Sequence, residues 1–421
     1  MRILLTAGAS YVPPRGGATR SNLVWLDRLA AAGHACRIVC GALPRDAAGR
    51  TAQLHEEEIR PPEAPAAHGV EASRRGPIAI WAAPDPARRV ELLRAHIRDF
   101  RPDWVLVSSE DLGHVLLREA WHSAPGRIVY LAHTPQFYPF GPASWNPDPR
   151  AAQLVARAAA VVAIGRSTAA YIERYAGRPA AIIHPPIYGA GPWPNLACFE
   201  RGLAAMINPC AVKGIGIFLE LARRMPGVAF GALPGWGTTS ADRRTLAELP
   251  NVETLPSCRD IERLLERTRV LLMPSLWFEG FGLIVMEAML RGIPVVSSDA
   301  GGLVEARCGT GFVIPVRPIE RYEPVFDEHG MPAPVTPPQE IGPWVDAVHA
   351  LITDQGLYER ASRAARAAAL RFVAGLRGEA LEELLAGLAP PAETPVPAAR
   401  TAVENLSAER RALLLQRLRK A

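Results

Sequence analysis

Cysteine and long apolar runs are both scarce in this 421-residue sequence. Its six cysteines, at positions 36, 40, 198, 210, 258 and 308, show neither Cys-x-x-Cys nor Cys/His ligand spacing, which argues against a zinc site and a disulfide framework. We therefore expect reduced thiols and a cytoplasmic location. The first apolar run is too short for a signal peptide, and no run of about 20 apolar residues could span a membrane.

The sequence also lacks a block of charge of one sign. The formal net charge is +5, and charged residues make up 21% of the chain and are spread along it. No Lys/Arg block interleaves with aromatic residues, so we expect no nucleic-acid partner. The mild basic excess fits an ordinary solvated surface, and it also fits a cleft for phosphate-bearing ligands.

Short β-branched runs alternate with longer amphipathic stretches, beginning with a helix over 22–32. This alternation predicts β-α-β units and parallel sheets, and the length favours two domains. Residues 42–76 are expected to form loops, and the Pro-rich residues 318–343 a surface excursion before a helix over 343–352. The predicted strands fall into two series: 3–5, 37–40, 104–108, 127–131 and 160–164, then 204–207, 228–232, 270–273, 295–297 and 312–316.

Residues 274–288 (PSLWFEGFGLIVMEA) follow the strand that ends near Met273. Glycines in this segment permit a tight turn, and a helix then begins near Leu283 with free N–H groups that suit a diphosphate. Glu279 precedes that helix and Glu287 lies one turn inside it. Two such carboxylates could hold two sets of sugar hydroxyls. The same residues without further support would also fit an ordinary strand–turn–helix with surface glutamates.

With Phe-Gly-Leu between the two glutamates and Gly-Ile-Pro-Val-Val at 292–296, the segment resembles the donor-site signature of family-4 retaining glycosyltransferases (glycosyl transferases group 1). The resemblance covers roughly residues 1–375 and is strongest over 204–316. It implies the GT-B fold, in which two Rossmann-like doubly wound domains face a central cleft. By this resemblance Glu279 contacts the donor sugar, Glu287 contacts the ribose, and the diphosphate or sugar meets backbone amides of Phe281, Gly282 and Leu283.

Three further segments extend the predicted site. In residues 208–214 (NPCAVKG), Lys213 would stabilise the leaving nucleoside diphosphate as a point charge, although a surface lysine at a helix start is the plainer alternative. The family usually has an arginine where this chain has Asn208, so the phosphate clamp lacks this guanidinium unless Arg15, Arg20 or another basic residue replaces it. The Gly16-Gly17 pair stands where the family has its glycine loop, although a plain loop would look the same.

His133 follows the predicted strand 127–131, at an edge that opens into the cleft of a doubly wound sheet. In the family a histidine here faces the reacting sugar, so His133, Lys213 and Glu279 are the predicted catalytic residues. His34 and His184 are expected to be structural. The aromatic residues 137–142 either line the acceptor pocket or cover the sheet edge.

The resemblance implies a retaining transfer from a nucleoside-diphosphate sugar, which serves as co-substrate with no other cofactor. No Asp-x-Asp motif follows a strand, so we also expect no metal. The acceptor could be a natural product or other small molecule, a peptide or a lipid-linked molecule. Alternatives are a catalytically impaired partner protein that binds sugar nucleotides, a sugar-nucleotide epimerase and a phosphorylase. The predicted domains are 1–192, completed by a helix within 371–388, and 193–370.

Residues 389–421 are predicted to form a Pro/Ala linker followed by an amphipathic helix over 406–420. The helix could dock on the catalytic domains, lie on the inner face of an anionic membrane, or bind an assembly-line protein. The last alternative rests on the run Leu-Ser-x-Glu-Arg-Arg-Ala-Leu-Leu, which resembles short segments next to condensation domains in non-ribosomal peptide synthetases.

Overall fold

Two sheets organise the described part of the chain. The computed structural model describes residues 1–14, 16–42, 59–60, 69–256 and 261–388, and groups Met1–Leu388 into one compact unit. Arg15, Cys258 and the predicted linker and terminal helix within 389–421 lie outside the described residues.

The first sheet has nine strands in the order β3-β4-β5-β2-β1-β6-β7-β8-β9. Pairing is parallel from β5 to β9 and antiparallel from β3 to β5. Its central strands are mostly apolar and buried because a parallel sheet is covered on both faces. The strands are β1 Arg2–Ser10, β2 Ala35–Gly41, β3 Ile59–Arg60, β4 Glu71–Arg75, β5 Ile78–Ala83, β6 Trp104–Ser108, β7 Ile128–Ala132, β8 Ala160–Ala163 and β9 Ala181–Ile182.

The second sheet has six parallel strands in the order β12-β11-β10-β13-β14-β15. The strands are β10 Leu203–Ile207, β11 Phe230–Leu233, β12 Val252–Thr254, β13 Thr268–Met273, β14 Val295–Ser298 and β15 Phe312–Ile314. In the first sheet β1 lies between β2 and β6, and in the second sheet β10 lies between β11 and β13. The strand order therefore reverses next to β1 and next to β10, which leaves a crevice at their carboxyl ends. Ligands of doubly wound sheets bind at such points.

Thirteen described α-helices connect or cover these strands. The last of them returns to the first sheet, where the indole of Trp104 donates to the carbonyl of Leu385 at 3.1 Å. No described helix is both long and apolar enough to cross a lipid bilayer. The helices are α1 Gly17–Ala31, α2 Pro86–Phe100, α3 Val115–Ser123, α4 Pro149–Ala156, α5 Arg166–Ala176, α6 Ile215–Arg224, α7 Ser240–Ala247, α8 Ile261–Leu265, α9 Leu283–Leu290, α10 Leu303–Ala306, α11 Gly342–Thr353, α12 Gln355–Ala374 and α13 Ala380–Gly387.

Three sequence-based expectations about local structure need correction. Residues 42–76 are not all loop, because β4 lies at their end and pairs with β5, which the sequence analysis also missed. Helix α1 begins at Gly17 rather than Asn22, so the glycine pair forms the start of the helix. The excursion over 318–343 contains a hairpin of β16 Tyr322–Phe326 and β17 Pro332–Pro334. The sequence analysis did not predict this hairpin because both strands contain proline, which is tolerated mainly in edge strands such as these.

Candidate active site

Lys213 and Glu279 meet at the carboxyl ends of β10 and β13. The Lys213 Nζ atom lies 2.5 Å from Glu279 Oε1, and the hydroxyl of Ser275 donates to the same oxygen at 2.5 Å. The ammonium also lies 4.4 Å from the centre of the Trp277 ring, where a cation–π attraction adds to the ion pair. Both charged side chains are largely buried, at 15% and 10% exposure. Two residues that were predicted from separate motifs therefore form one ion pair.

The charge of Glu279 is maintained although the residue is buried. Burial alone would raise the pKa of this carboxyl, but the Lys213 charge and hydrogen bonds from Lys213 and Ser275 hold it below its usual range. The carboxylate is therefore ionised at neutral pH and can accept hydrogen bonds from hydroxyl groups.

Glycines bring the loops of the two sheets into contact. A Cβ atom on Gly280 would stand 2.2 Å from the carbonyl oxygen of His133, and one on Gly17 would stand 2.8 Å from Cδ1 of Leu283. Gly214, with φ of 81°, would place a Cβ 1.9 Å from the carbonyl oxygen of Pro274. At Gly280 and Gly214 the opposing atom belongs to the backbone, so only a residue without a side chain allows the approach. As a result, the predicted donor segment lies directly against the start of α1 and the segment after β7.

Helix α9 begins at Leu283, behind Gly282 with φ of 102°. The first N–H groups of a helix have no partner within it, so they remain available to an anion. The side chain of Phe281 is buried and stacks on Phe372 with ring centres 5.4 Å apart. The side chain of Phe281 is therefore not available to a ligand, and contact of its backbone amide with the donor stays a prediction.

Glu287 is bound by an arginine from the opposite half of the site. Arg20 on α1 donates to Glu287 Oε1 at 3.0 Å, and the Glu287 side chain is only 7% exposed. Arg20 was one of the basic residues considered as a substitute for the arginine that Asn208 replaces. The structure places it on the predicted ribose carboxylate. A ribose that binds Glu287 would have to share or displace this guanidinium.

Asn208 lies next to the predicted phosphate site but serves the loop after β11. Its Oδ1 accepts the backbone N–H of Gly237 at 2.9 Å, and a Cβ on Gly235 would stand 2.7 Å from that oxygen. The residue has φ of 54°, a conformation that asparagine tolerates better than arginine does. Its Nδ2 has no hydrogen-bond partner within the described chain. Asn208 thus holds a neighbouring loop in place and keeps one amide donor free.

His133 is buried beneath the donor segment, with 1% of its surface exposed. Its Nε2 lies 2.8 Å from Oδ1 of Asn22, and its Nδ1 has no partner among the described residues. Burial lowers the pKa of the ring to about 3, so His133 is neutral at ordinary pH. The His133 carbonyl packs against Gly280, the residue that follows Glu279. The His133 ring makes no hydrogen bond to the Glu279 side chain.

Glu305 is a further polar residue that the sequence analysis missed. Its carboxylate accepts the amide of Arg166 at the start of α5 at 2.6 Å, and the ring of His184 at 2.8 Å. His184 therefore has a structural partner, as expected. The preceding Gly302 donates its amide to the carbonyl of Glu279 at 2.8 Å, so Glu305 is connected to the donor loop. A Gly-Gly pair followed by a carboxylate after β14 was the available sequence signal.

The aromatic stretch after His133 lies partly in the core and partly near Trp277. Tyr138 and Phe140 are buried in the core. The ring of Phe137 lies 5.4 Å from that of Trp145, which in turn lies 6.0 Å from Trp277 beside Lys213. Within the described residues, no group of three or more His, Cys, Asp or Glu side chains could hold a metal ion. Metal independence itself stays a prediction.

Two family profiles match the two halves of this arrangement. The profile described as Glycosyltransferase Family 4 matches residues 15–188, and the profile described as Glycosyl transferases group 1 matches residues 203–322. Together they span most of the chain. The chain belongs to the GT4-type glycosyltransferases.

Solved structures show that this glycosyltransferase has the GT-B fold, as predicted. It is similar to a sucrose-phosphate synthase from Thermosynechococcus elongatus (TM-score 0.64, 14% identity, covering 91% of this chain and 99% of that one). It is also similar to Alr3699/HepE from Anabaena in complex with UDP and glucose (TM-score 0.60, 18% identity, covering 92% and 100%). At such low identities these similarities establish the fold alone.

A curated relative from Klebsiella pneumoniae, an uncharacterized 42.6 kDa protein in the cps region, is 31% identical over 93 residues. The matched segment is 22% of this chain and spans only 25% of that relative's length. The relative therefore gives no information about the donor or the acceptor.

Proposed function

We propose that this glycosyltransferase transfers a sugar from a nucleoside-diphosphate sugar to an acceptor hydroxyl, without a metal ion and with retention at the anomeric carbon. The observation that carries the proposal is the Lys213–Glu279 ion pair at the start of α9. It combines a cation for phosphate, a carboxylate for sugar hydroxyls and free helix N–H groups in one place. In addition, Alr3699/HepE and a trehalose-6-phosphate protein from E. coli have been solved with UDP-glucose or a fluorinated form of it, which supports this class of donor.

In the proposed reaction, the bond between the anomeric carbon and the phosphate oxygen breaks, and the electron pair leaves with the nucleoside diphosphate. The acceptor oxygen forms its bond on the same face, and its proton passes to the departing phosphate. Lys213 would turn from Glu279 to the phosphate, where negative charge grows in the transition state. Glu279 would then hold hydroxyls of the donor sugar in the reacting position.

The acceptor is proposed only as a class: a hydroxyl group on a small molecule, a peptide or a lipid-linked molecule. Recruitment of such an acceptor through residues 406–420, by an assembly-line protein or a membrane surface, stays a prediction from the sequence. Removal of residues 392–421 tests it. The truncated protein should keep its melting temperature and its donor hydrolysis, and a large drop in melting temperature would contradict recruitment.

A panel of nucleotide sugars, ranked by the rise in melting temperature that each produces, would identify the donor. Hydrolysis of that donor without acceptor, followed by NMR of the sugar released or transferred, would then test catalysis and retention. Activity should persist in excess EDTA. Loss of activity that Mg²⁺ or Mn²⁺ restores would overturn metal independence.

The second candidate is a catalytically impaired protein that binds sugar nucleotides. Asn208 favours it, because the family's usual guanidinium is missing at that position and Arg20 is bound to Glu287. A protein of this kind would gain melting temperature with a nucleotide sugar but would neither hydrolyse nor transfer it. An epimerase would convert the donor without an acceptor, and a phosphorylase would carry bound pyridoxal phosphate.

A further inference from the structure

Four polar side chains form a continuous chain at the carboxyl edge of the first sheet. The hydroxyl of Ser108, at the end of β6, lies 3.5 Å from the Glu110 carboxylate. Nδ2 of Asn22, on α1, lies 3.1 Å from the Ser108 hydroxyl. Oδ1 of Asn22 lies 2.8 Å from Nε2 of His133. The chain thus runs from a carboxyl group to the ring of the histidine beneath the donor segment.

The orientation of the Asn22 amide decides which neighbour accepts a hydrogen bond and which donates one, because an amide has a donor end and an acceptor end. An amide oxygen only accepts, so with Oδ1 facing the ring, Nε2 of His133 must carry the proton. The Nδ1 lone pair is then free, and the described residues offer it no partner. If the amide turned over, its Nδ2 would donate to Nε2, and the ring would carry its proton on Nδ1 instead.

Ser108 couples the direction of the amide to the charge of Glu110. An ionised carboxylate only accepts, so it accepts a hydrogen bond from the Ser108 hydroxyl and leaves the Ser108 oxygen to accept one from Asn22. A protonated carboxyl can donate to Ser108, which then donates to the amide oxygen of a turned Asn22. Each of the two charge states of Glu110 therefore favours one direction of the whole chain.

Glu110 is the member of this group that changes charge near neutral pH. Burial raises the pKa of its carboxyl to about 7. Tyr11, which lies against Glu110 and accepts a hydrogen bond from Asn22 at 2.6 Å, has its pKa raised well above its usual value by burial. The thiol of Cys40 beside it has a pKa of about 12. Asp111, the next residue in the chain, is not part of this hydrogen-bonded group, because its carboxylate accepts the amide of Leu116 at the start of α3.

We propose that Glu110, acting through Ser108 and Asn22, decides which ring nitrogen of His133 carries the proton. Ionised Glu110 gives the Nε2–H tautomer with a free Nδ1 lone pair, and protonated Glu110 gives the Nδ1–H tautomer. The proton that Glu110 gains comes from solvent, and the ring holds one proton in both states. The consequence for catalysis rests on the proposed function: only the first tautomer leaves Nδ1 free as an acceptor, and because this atom is buried in the structure, a hydroxyl of bound sugar would reach it only when the donor segment moves off the ring. Asn22 and Glu110 are then positioning residues.

NMR of the full chain with ¹⁵N-labelled histidine tests the tautomer directly. Loss of one signal in His133→Gln assigns the His133 ring. We expect Nε2–H above about pH 8 and conversion to Nδ1–H as the pH falls through about 7, with the ring neutral throughout because its own pKa is about 3. A His133 tautomer that stays constant across this range would overturn the proposal.

Two variants locate the cause of the conversion. Glu110→Gln removes the titrating group, and Ser108→Ala interrupts the chain without changing either end, so both should abolish the conversion near pH 7. Glu91→Gln, an exposed glutamate on α2, is the matched control and should leave it intact. Conversion that persists in Glu110→Gln and in Ser108→Ala would refute the coupling.

Donor hydrolysis separates this inference from the proposed function. With the nucleotide sugar that the melting-temperature panel selects, turnover should fall about tenfold from pH 8 to pH 6, the effect of one lost hydrogen bond. In Glu110→Gln that dependence should be absent. A normal tautomer conversion without hydrolysis of any donor in the panel would defeat the proposed function alone. A turnover profile that is unchanged in Glu110→Gln would defeat the coupling to catalysis.

Discussion

Lys213 and Glu279 neutralise each other across the edge of the second sheet, with 2.5 Å between Nζ and Oε1. A buried ion pair of this kind is strongly destabilised when one partner is removed, because the other charge stays behind without compensation. Under the proposed function, a bound diphosphate would offer Lys213 a new partner, and sugar hydroxyls would offer one to Glu279. Stability and catalysis therefore place different demands on these two residues, and substitutions can distinguish them.

Glu279→Gln should reduce donor-sugar turnover by well over tenfold and leave the protein folded. The amide has nearly the same shape, but it cannot present two acceptor oxygens to Lys213, Ser275 and the sugar hydroxyls. Initial rates and circular dichroism of the variant provide the measurement. Glu220→Gln, on the exposed face of α6, is the matched control. Full activity in a folded Glu279→Gln protein would remove Glu279 from the donor site.

Lys213→Ala should lower turnover more than it raises the Michaelis constant, because negative charge develops on the leaving diphosphate mainly in the transition state. It should also reduce the free energy of unfolding by roughly 3 kcal/mol, since Glu279 loses its partner. The double variant Lys213→Ala/Glu279→Gln should recover most of that stability and none of the turnover. Urea unfolding and steady-state kinetics measure the two effects. A rise in the Michaelis constant alone would make Lys213 a ground-state ligand.

Gly280→Ala should disturb the cleft, because its Cβ would stand 2.2 Å from the carbonyl oxygen of His133, which belongs to rigid backbone. We expect a loss of roughly 1–3 kcal/mol in the free energy of unfolding, as for other overpacked sites, together with reduced turnover. Gly216→Ala is the matched control, since no heavy atom lies within 4 Å of the added carbon on α6. That change should stabilise the protein by roughly 0.5–1 kcal/mol. Equal stability of the two variants would show that the contact with His133 does not constrain the loops.

The sequence predicts well whatever depends on local pattern. Most of the parallel strands are visible as apolar runs, although β5, β9 and β12 were not predicted. The donor segment is visible because Glu279, Glu287 and the glycines between them stand close together in the chain. The hairpin over 322–334 was not predicted, since its prolines are typical of loops. Contacts between residues far apart in the chain were not predicted, for a different reason. Asn22 meets His133 across 111 positions and Glu305 meets His184 across 121. Neither Asn22 nor Glu305 has a motif beside it in the sequence that predicts its partner.

The charge of Glu110 should make the protein less stable as the pH rises. Its folded-state pKa of about 7 lies above the usual carboxyl value of about 4.3. Between these values the folded state binds more protons than the unfolded state does. The stabilising contribution of the neutral carboxyl is therefore complete below about pH 4 and is lost as the pH rises through about 7.

Urea unfolding of wild type and Glu110→Gln at about pH 5 and about pH 8.5 measures this contribution. Relative to the variant, the wild type should lose on the order of 2 kcal/mol in the free energy of unfolding between the two conditions. Because the variant has no proton to lose at this position, all other titrating groups cancel in the difference. Glu91→Gln should follow the wild type at both pH values, since Glu91 is exposed. A difference between wild type and Glu110→Gln that does not change with pH would place the Glu110 carboxyl in an environment as polar as water, and the coupling to His133 would lose its driving group.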